Sequence, residues 1–435
     1  MKLLIKDAFV ITMTSKDSPV VCRDIAIEEG MISHIGEVPS AFIPDKIIDG
    51  TGHIAMPGLI NAHTHMAMSL LRNYADDLPL MEWLSEKIWP VEGHLNGEAV
   101  YAGTLLSLVE LIRSGVTTYR DMYFYMEDVA RATEAVGLRA VLGLGMVGVT
   151  DPEQKLLSQT KAFFHHWHLS CDGRIRVEVA PHAPYTCSDD YLKAAFELSQ
   201  SLETTMHIHL SESLSEVKAS YDTHGVSPVK HLEDLGVLNK HVSAAHCVHI
   251  DQKDIEILKQ HGVSVLYNPS SNLKLGNGFA PIAQLMEAGV NVAIGTDGSA
   301  SNNNLNLFEE LHLAALVNKG VTGDPTALPA YKVLEIATIN GAKALGIDHL
   351  VGTLEVGKRA DLILIDLEKP HLVPHHDLVS AVVYSAAATD VSHVICDGVV
   401  LMEDYEFTCL DEKNVMTQAK LEASKLIKRH KGGVE

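Results

Sequence analysis

Short apolar runs alternate with longer amphipathic stretches through the middle of the chain, between residues 58 and 347. Eight runs predict buried β-strands, at residues 59–63, 117–121, 140–144, 176–181, 205–210, 242–246, 263–267 and 290–296. Helical patterns separate them, for instance at residues 97–113, 126–136, 189–201, 251–260 and 281–287. Eight strand–helix alternations, with strands apolar on both faces, predict an α/β fold that closes into a (β/α)8 TIM-type barrel.

Both ends of the chain have a different pattern. Aliphatic and β-branched runs at residues 3–13 and 20–28 predict strands, and strand patterns return at 361–366, 391–396 and 399–402. We therefore expect a small β-sandwich domain built from residues 1–57 and 348–410, with the barrel at 58–347 between them. A charged helical pattern at 412–430 predicts a C-terminal helix within residues 411–435.

The segment at residues 66–96 is long for a connection between a barrel strand and its helix. It contains Trp83, Trp89, Leu78, Leu80 and Met81, which argues against disorder. Two interpretations are open. The segment covers the mouth of a pocket, with the tryptophans packed on a substrate, or it forms an extra helix whose tryptophans are structural.

Net charge and cysteine content exclude several classes of protein. The 435 residues carry a formal net charge of -22, which argues against nucleic-acid and anionic-membrane partners. Six cysteines without a Cys-x-x-Cys pair predict a reducing, cytoplasmic location. The N-terminus becomes charged again too soon for a signal peptide, and no apolar run is long enough to cross a bilayer.

Histidines and acidic residues follow the predicted strands directly. Active sites of such barrels lie at the carboxyl ends of the strands. Five of the eight predicted strands end in or beside such residues, namely His63 with His65, His182, His207 with His209, His246 and Asp297. Taken singly, each histidine also fits a structural role, and Asp297 also fits a turn cap. Their concentration at one rim predicts a shared metal site.

The spacing of these residues suits metal ligation and proton transfer. Histidines two residues apart on a strand, such as His63 and His65, point to one face and can present two imidazoles to a single ion. Zinc favours nitrogen ligands and, at catalytic sites, keeps a position open for water. Glu212, three residues after His209, is a candidate proton carrier because burial raises the pKa of a carboxyl group.

Several motifs resemble those of the amidohydrolase superfamily, in the branch that uses one metal ion. The motif PGLINAHTH at residues 57–65 opens the barrel, and the region after strand four offers no lysine to bridge a second ion. Within that branch, the chain resembles the 5-methylthioadenosine/S-adenosylhomocysteine deaminases. The motifs that carry this likeness are WPVE at 89–92, HAPY at 182–185 and GTDGSASNNN at 295–304.

The resemblance implies a set of roles. It implies that His63, His65, His209 and Asp297 hold one divalent ion, with zinc expected, although such a ligand set also accepts iron or manganese. It further implies that Glu212 protonates the purine ring, that His246 supports an attacking water whose proton Asp297 takes, that Glu92 holds the ribose hydroxyls, and that His182 contacts the nucleoside. The expected reaction is the hydrolytic deamination of adenosine-type nucleosides, such as 5′-methylthioadenosine, S-adenosylhomocysteine and adenosine, to the inosine analogue and ammonia.

One departure and several alternatives qualify this expectation. Some relatives carry an arginine just after strand three, where this chain has only apolar residues and glycine at 143–148, so a small apolar tail or a bare ribose fits better than the carboxylate of S-adenosylhomocysteine. A guanine deaminase or a chlorotriazine or heterocycle hydrolase of the same superfamily is the alternative, and a non-catalytic scaffold is a remote one. The design with His-x-Glu and Pro-Cys-x-x-Cys motifs is excluded. A homo-oligomer is compatible with the sequence.

Overall fold

The computed structural model describes residues 1–432. The N-terminal segment forms five strands of a mixed sheet: β1 (Lys2–Val10), β2 (Val21–Glu28), β3 (Met31–Gly36), β4 (Lys46–Asp49) and β5 (His53–Pro57). Strand β1 pairs antiparallel with β2 and parallel with β4 and β5. Consecutive aliphatic residues in these strands are buried, such as Leu3, Leu4 and Ile5 in β1 and Ile25, Ala26 and Ile27 in β2.

Eight parallel strands in consecutive order follow and form the predicted barrel. They are β6 (Leu59–Thr64), β7 (Val116–Tyr123), β8 (Arg139–Met146), β9 (Ile175–Pro181), β10 (Met206–Leu210), β11 (Val242–His246), β12 (Ser264–Tyr267) and β13 (Val292–Ile294). Each overlaps the range that the apolar pattern predicts. All their residues are buried except Leu144 and Arg176, which are half-buried, as expected for a sheet covered on both faces.

The seam between the first and last barrel strands is joined by side chains. Asn61 donates from Nδ2 to Thr296 Oγ1 at 2.8 Å and accepts the Thr296 N–H at 3.0 Å. The Asp297 N–H donates to the carbonyl of His63 at 3.0 Å. Since β6 and β13 lie at opposite ends of the chain order, this seam brings His63 beside Asp297.

Four strands after the barrel complete the terminal sheet: β14 (Leu362–Asp366), β15 (Val391–Cys396), β16 (Val399–Glu403) and β17 (Glu406–Phe407). Strand β14 pairs antiparallel with β5, so both chain ends share one nine-stranded sheet. Leu3, Ile5, Leu362 and Ile395 belong to a buried cluster of its own, separate from the main core. The expected small β domain from both termini thus has its own apolar core.

Helices cover the barrel and extend from it. They are α1 (Leu80–Glu82), α2 (Trp89–Glu92), α3 (Gly97–Arg113), α4 (Met126–Val136), α5 (Lys155–Trp167), α6 (Ser170–Gly173), α7 (Asp189–Ser201), α8 (Leu214–His224), α9 (Pro228–Leu235), α10 (Gln252–His261), α11 (Pro269–Lys274), α12 (Ile282–Ala288), α13 (Leu307–Thr322), α14 (Ala330–Ile336), α15 (Ile339–Ala344), α16 (Leu378–Tyr384) and α17 (Glu412–His430). Short 3-10 turns lie at Met66–Leu71, Gly148–Thr150 and Ala388–Asp390. Between residues 1 and 432, no helix is both long and apolar enough to span a membrane.

Side-chain caps fix where several helices begin. Asn96 accepts the Ala99 N–H at the start of α3, Ser188 accepts the Tyr191 N–H at α7, and Ser213 accepts the Glu216 N–H at α8. Helix α16 was not expected, since it lies in a region predicted to hold only strands. It packs against α13 and α14, and this tertiary contact stabilises a short apolar run as helix.

The segment at residues 66–96 forms an extra helical layer on the barrel and also borders a cavity, and packing of its tryptophans on a substrate stays a prediction. Its second half is a helical run of α1, a π-helical turn at Trp83–Ile88 and α2. Trp83 is buried and its Nε1 donates to the carbonyl of Ala75 at 3.0 Å, whereas Trp89 is 38% exposed. The helices pack on the barrel, and their inner face borders a cavity at the carboxyl ends of the strands.

Candidate active site

Four side chains converge at the carboxyl ends of the barrel strands. Asp297 Oδ1 lies 3.3 Å from His63 Nε2 and 3.2 Å from His65 Nε2. His209 Nε2 lies 3.4 Å from His65 Nε2. Ligands about 2.0–2.1 Å from one zinc ion in tetrahedral directions would be roughly 3.4 Å apart. These three distances match that spacing, and within 4.8 Å His63 groups both with His65 and His209 and with His246 and Asp297.

The hydrogen bonds of the rings direct their free nitrogens toward one another. His65 Nδ1 contacts the carbonyl of Met122 at 2.6 Å, and His209 Nδ1 contacts the carbonyl of His182 at 2.8 Å. A carbonyl only accepts, so both rings carry their proton on Nδ1 and present a bare Nε2 to the cluster. His63 Nε2 is fully buried and has no hydrogen-bond partner within residues 1–432, which a cation would remedy.

The charges of these groups also fit a cation. Burial lowers the pKa of His63 and of His209 well below the usual value, so both imidazoles are neutral. Burial lowers the pKa of His65 too, but the hydrogen bond and charge of Asp297 raise it to about 9. Burial opposes ionisation of Asp297, yet its contacts with His63 and His65 hold its pKa well below the usual value. A neutral His63, a neutral His209 and an ionised Asp297 are the forms that ligate a divalent ion, and a cation beside Asp297 would displace the proton that His65 otherwise keeps.

Asp297 is fixed on its other side by two hydroxyl groups. Ser271 Oγ donates to Asp297 Oδ2 at 2.6 Å, and Ser301 Oγ donates to the same oxygen at 2.8 Å. The backbone at Asp297 has φ of 63°, and that at His246 has φ of 74°, both in the left-handed region. Such conformations are uncommon outside glycine and concentrate at functional sites.

Glu212 and His246 face each other beside this cluster. Glu212 Oε2 lies 3.8 Å from His246 Nε2, and its other oxygen accepts from Asn277 Nδ2 at 2.9 Å. His246 Nδ1 contacts Asn272 Oδ1 at 2.9 Å, which turns Nε2 toward the cavity. Burial raises the pKa of Glu212, so this carboxyl holds a proton more readily than an exposed one.

Glu92 and His182 border the same cavity. Glu92 Oε1 accepts from Tyr123 Oη at 2.5 Å. His182 Nδ1 lies 3.0 Å from Thr186 Oγ1, and burial lowers its pKa to about 4, which makes the imidazole neutral. The sequence-predicted residues are thus brought together, with His63 and His207 beneath the surface that the others line.

A cavity at the carboxyl ends of the strands joins these groups. The predicted site residues that border it are His65, Glu92, His182, His209, Glu212, His246 and Asp297. The remaining lining is mostly apolar: Met68, Leu80, Trp83, Leu84, Trp89, Met122, Tyr123, Phe124, Gly145, Val147, Tyr185, Leu275 and Ser301. Five of these thirteen residues belong to the segment at 66–96, and the others follow barrel strands or lie in later loops and helices.

The sequence profile of the amidohydrolase family matches residues 54–401, which covers the whole barrel and part of the terminal sheet. The chain belongs to the amidohydrolase family. This amidohydrolase is 52% identical to a 5-methylthioadenosine/S-adenosylhomocysteine deaminase of Thermoanaerobacter pseudethanolicus, over 99% of this chain and 100% of the relative. It is 47% identical to a 5′-deoxyadenosine deaminase of Methanosarcina acetivorans, over 98% and 99% of the two chains.

A solved structure is also similar to this amidohydrolase. The crystal structure of an adenosine deaminase from Xanthomonas campestris with bound zinc superposes with a TM-score of 0.93 and 34% identity, covering 98% of each chain. The expected fold class, a barrel with a small β domain from both termini, is confirmed by this likeness and by the strand order.

Sequence reasoning missed the side chains that orient the site of this amidohydrolase. Each of them makes a hydrogen-bond contact with a site residue: Tyr123 with Glu92, Asn272 with His246, Asn277 with Glu212, and both Ser271 and Ser301 with Asp297. Tyr123 ends β7, and the serine–asparagine run at 270–272 follows β12, so a search for any polar residue after a strand would have included them. His207 was noted only as lying deeper than His209, and its partners lie on strands far apart in sequence.

Proposed function

We propose that this amidohydrolase deaminates adenosine-type nucleosides hydrolytically, giving the inosine analogue and ammonia. The observation that carries the proposal is one cavity whose lining combines two carboxyl groups with the His–Asp cluster: Glu212, which faces His246, and Glu92, which is held by Tyr123. The first carboxyl suits proton transfer to a purine, and the second suits a pair of ribose hydroxyls. The names of the deaminase relatives support this assignment.

We further propose that His63, His65, His209 and Asp297 hold one divalent ion, with zinc as the natural choice for three imidazoles and a carboxylate. Such an ion supplies Lewis acidity, which makes water a competent nucleophile near neutral pH. The orphaned Nε2 of His63 and the 3.2–3.4 Å spacing of the ligand atoms support a single ion.

The remaining steps are proton transfers by residues of this chain. The Glu212 carboxyl donates its proton to the ring nitrogen next to the carbon that bears the amino group, which makes that carbon electrophilic. Water adds to this carbon, and Asp297 accepts the proton that the water loses. His246, turned toward the cavity by Asn272, stabilises the attacking oxygen. The proton on Asp297 passes to the amino nitrogen and ammonia departs. The added oxygen becomes the carbonyl of the inosine analogue, the proton that it loses restores Glu212, and the ring nitrogen keeps its hydrogen.

Glu92, Tyr123 and His182 orient the nucleoside in the cavity. An ionised Glu92 can accept two hydroxyl protons at once, one for each oxygen, and the 2′- and 3′-hydroxyls of ribose present such a pair. Tyr123 holds one oxygen of Glu92 and so fixes the direction of the carboxylate. His182, neutral and anchored by Thr186, offers Nε2 to the nucleoside.

The 5′ group that fits best is small and apolar. Among residues 1–432, the lining of the cavity contains neither lysine nor arginine, so the carboxylate of S-adenosylhomocysteine would find no cationic partner there. Leu80, Leu84, Phe124 and Val147 instead offer apolar surface. Burying a charged group without a partner costs far more than burying a methylthio group gains. We therefore propose 5′-methylthioadenosine and 5′-deoxyadenosine as the preferred substrates.

A substrate panel tests this proposal on one metal-analysed preparation. Ammonia release is measured with 5′-methylthioadenosine, 5′-deoxyadenosine, adenosine, S-adenosylhomocysteine, guanine and a chlorotriazine. We expect one equivalent of zinc per chain, and kcat/KM highest for the two nucleosides with apolar 5′ groups. Turnover of guanine or the chlorotriazine without any nucleoside would overturn the function, and a preference for S-adenosylhomocysteine would overturn only the 5′-group assignment.

A further inference from the structure

Beneath the proposed metal ligands lies a chain of polar side chains that the mechanism does not use. Arg120 of β7, Glu178 of β9 and His207 of β10 are all fully buried. Burying a guanidinium and a carboxylate is costly, so a role that depends on them is worth seeking. This series of side chains begins at Nδ1 of His63, the ring nitrogen that does not face Asp297.

The contacts form a continuous series. His63 Nδ1 lies 3.0 Å from His207 Nε2. His207 Nδ1 lies 3.5 Å from Glu178 Oε1, which in turn lies 3.0 Å from Arg120 Nε; both are ion-pair distances, and neither contact has the geometry of a hydrogen bond. Thr205 Oγ1 donates to the other Glu178 oxygen at 2.7 Å, and Arg120 Nη2 donates to the carbonyl of Ala344 at 2.9 Å. Glu178 is thus held from three sides.

His63 differs in one respect from the other two imidazoles. His65 and His209 place Nδ1 against backbone carbonyls, which can only accept a hydrogen bond. His63 places Nδ1 against another imidazole, which accepts or donates according to where its own proton sits. If His207 carried its proton on Nε2, His63 would be forced to carry its own on the nitrogen that faces Asp297.

Glu178 removes this ambiguity. Arg120 stays protonated in proteins, so a neutral Glu178 would leave a guanidinium charge buried without compensation. An ionised Glu178 has no proton to donate and favours the proton of His207 on Nδ1. His207 Nε2 is then a bare acceptor, His63 carries its proton on Nδ1, and His63 Nε2 is free for a cation. Carboxylates and carbonyls commonly orient metal-bound histidines in this way, but here the carboxylate acts through a second imidazole.

We propose that Glu178, paired with Arg120, sets the tautomer of His63 through His207 and thereby makes His63 a ligand. Glu178 and His207 are positioning residues. The inference rests on the proposed ligation by His63. If the wild-type protein binds no metal, ligation by His63 is wrong. If the wild type binds zinc and the variants below bind it equally well, only the role of Glu178 and His207 is wrong.

Zinc affinity, measured by competition with a chromogenic chelator on the full chain, is the first readout. Glu178→Gln keeps the shape but removes the charge, and Arg120→Met with Glu178→Gln avoids stranding the guanidinium. We expect both variants to bind zinc about 10- to 100-fold more weakly. Asp361→Asn is the matched control: it breaks a buried arginine–carboxylate pair, Arg139–Asp361, that does not touch a ligand, so it should lower the melting temperature and leave zinc affinity unchanged. Wild-type affinity in both Glu178 variants would overturn the proposal.

Neutron diffraction of deuterium-exchanged wild-type holoenzyme is the second readout and requires no variant. We expect deuterium on Nδ1 of His63 and on Nδ1 of His207, with His207 Nε2 bare. Deuterium on His207 Nε2 would overturn the relay whatever the variants do.

Discussion

Carboxylates at the barrel rim and carboxylates in the terminal sheet region have different kinds of hydrogen-bond and ion-pair partner. In the terminal sheet region, Asp361 accepts two hydrogen bonds from Arg139, at 2.9 and 3.0 Å, and Asp366 forms an ion pair with Lys369 at 2.9 Å. At the rim, Asp297, Glu212 and Glu92 have no lysine or arginine partner within residues 1–432. Hydroxyl, amide and imidazole groups hold them instead.

This difference separates stability from function. A carboxylate that already has a cationic partner in the fold contributes to stability, and its charge is not available to bind a metal ion or a substrate. One held only by neutral or weakly charged donors is correctly aimed but can still interact with a cation, a proton or a pair of substrate hydroxyls. Substituting a carboxylate at the rim should therefore change kcat or KM. Substituting one in the sheet should lower the free energy of unfolding.

The largest expected effect is at Glu212. In Glu212→Gln, the amide cannot donate a proton to the purine ring, so we expect kcat for the preferred nucleoside to fall by about 10²- to 10⁴-fold. Zinc content and melting temperature should match the wild type, since Glu212 is not a proposed ligand. Metal analysis, thermal unfolding and steady-state kinetics on one preparation check this, and near-normal kcat would remove Glu212 from the proton transfers.

The next effect is at Glu92. Glu92→Gln keeps the contact with Tyr123 but loses the charge that the ribose hydroxyls need, and we expect KM to rise about 10- to 100-fold with a smaller change in kcat. The control is a 2′,3′-dideoxy analogue of the same nucleoside, which wild type and variant should turn over alike. A variant that loses equally on both substrates would show that Glu92 does not bind the ribose.

In the sheet, Asp366→Asn should cost stability and not activity. Burial opposes ionisation, but hydrogen bonds from Lys369, the Glu368 backbone and Tyr405 lower the pKa of Asp366 to about 2. Because the pKa in the folded protein lies below the unfolded value of about 3.9, the stabilisation is present above that pH and is lost as pH falls toward 2. We expect the variant to lose about 2 kcal/mol in free energy of unfolding at pH 7, and the deficit to shrink in acid.

Urea unfolding at a series of pH values measures this effect. Glu256→Gln, at an exposed position, is the matched loss of one negative charge and should leave unfolding unchanged. A constant deficit across pH for Asp366→Asn would contradict the assignment to ionisation.

The smallest expected effect is in substrate preference. Val147 lines the cavity, and Val147→Arg would provide the cationic partner that the lining lacks. We expect kcat/KM for S-adenosylhomocysteine relative to 5′-methylthioadenosine to rise about fivefold, since a half-exposed ion pair is worth roughly 1 kcal/mol. Val149→Arg, at an exposed position outside the cavity lining, is the matched control and should leave the ratio unchanged.

The sequence predicts the barrel well because its strands are continuous apolar runs, and polar residues that interrupt them at one end must have a reason. That logic leads to His63, His209 and Asp297 without knowledge of their neighbours. It does not reveal the seam between Asn61 and Thr296, since the two residues meet only when the barrel closes. Helix α16 was missed for a related reason, because its helical state depends on packing against α13 and α14.

The supporting groups around the site are harder to predict. Ser271 and Asn272 lie in the short helix α11 and Asn277 in the loop after it, a stretch too short to show a periodicity, and serine and asparagine are common in loops for many reasons. The strand-end pattern leads to His182, but its contact with the nucleoside, like the whole role of Glu92, came from family resemblance. The relay from Arg120 to His63 requires side-chain positions on four strands, which no local pattern encodes.

The helical segment that roofs the cavity has a practical consequence. The chain contains three tryptophans, and two of them, Trp83 and Trp89, line the cavity. Intrinsic fluorescence should therefore change when a nucleoside occupies the space between them and the strand ends. A stopped-flow trace of that emission would time substrate entry separately from ammonia release, without any attached dye.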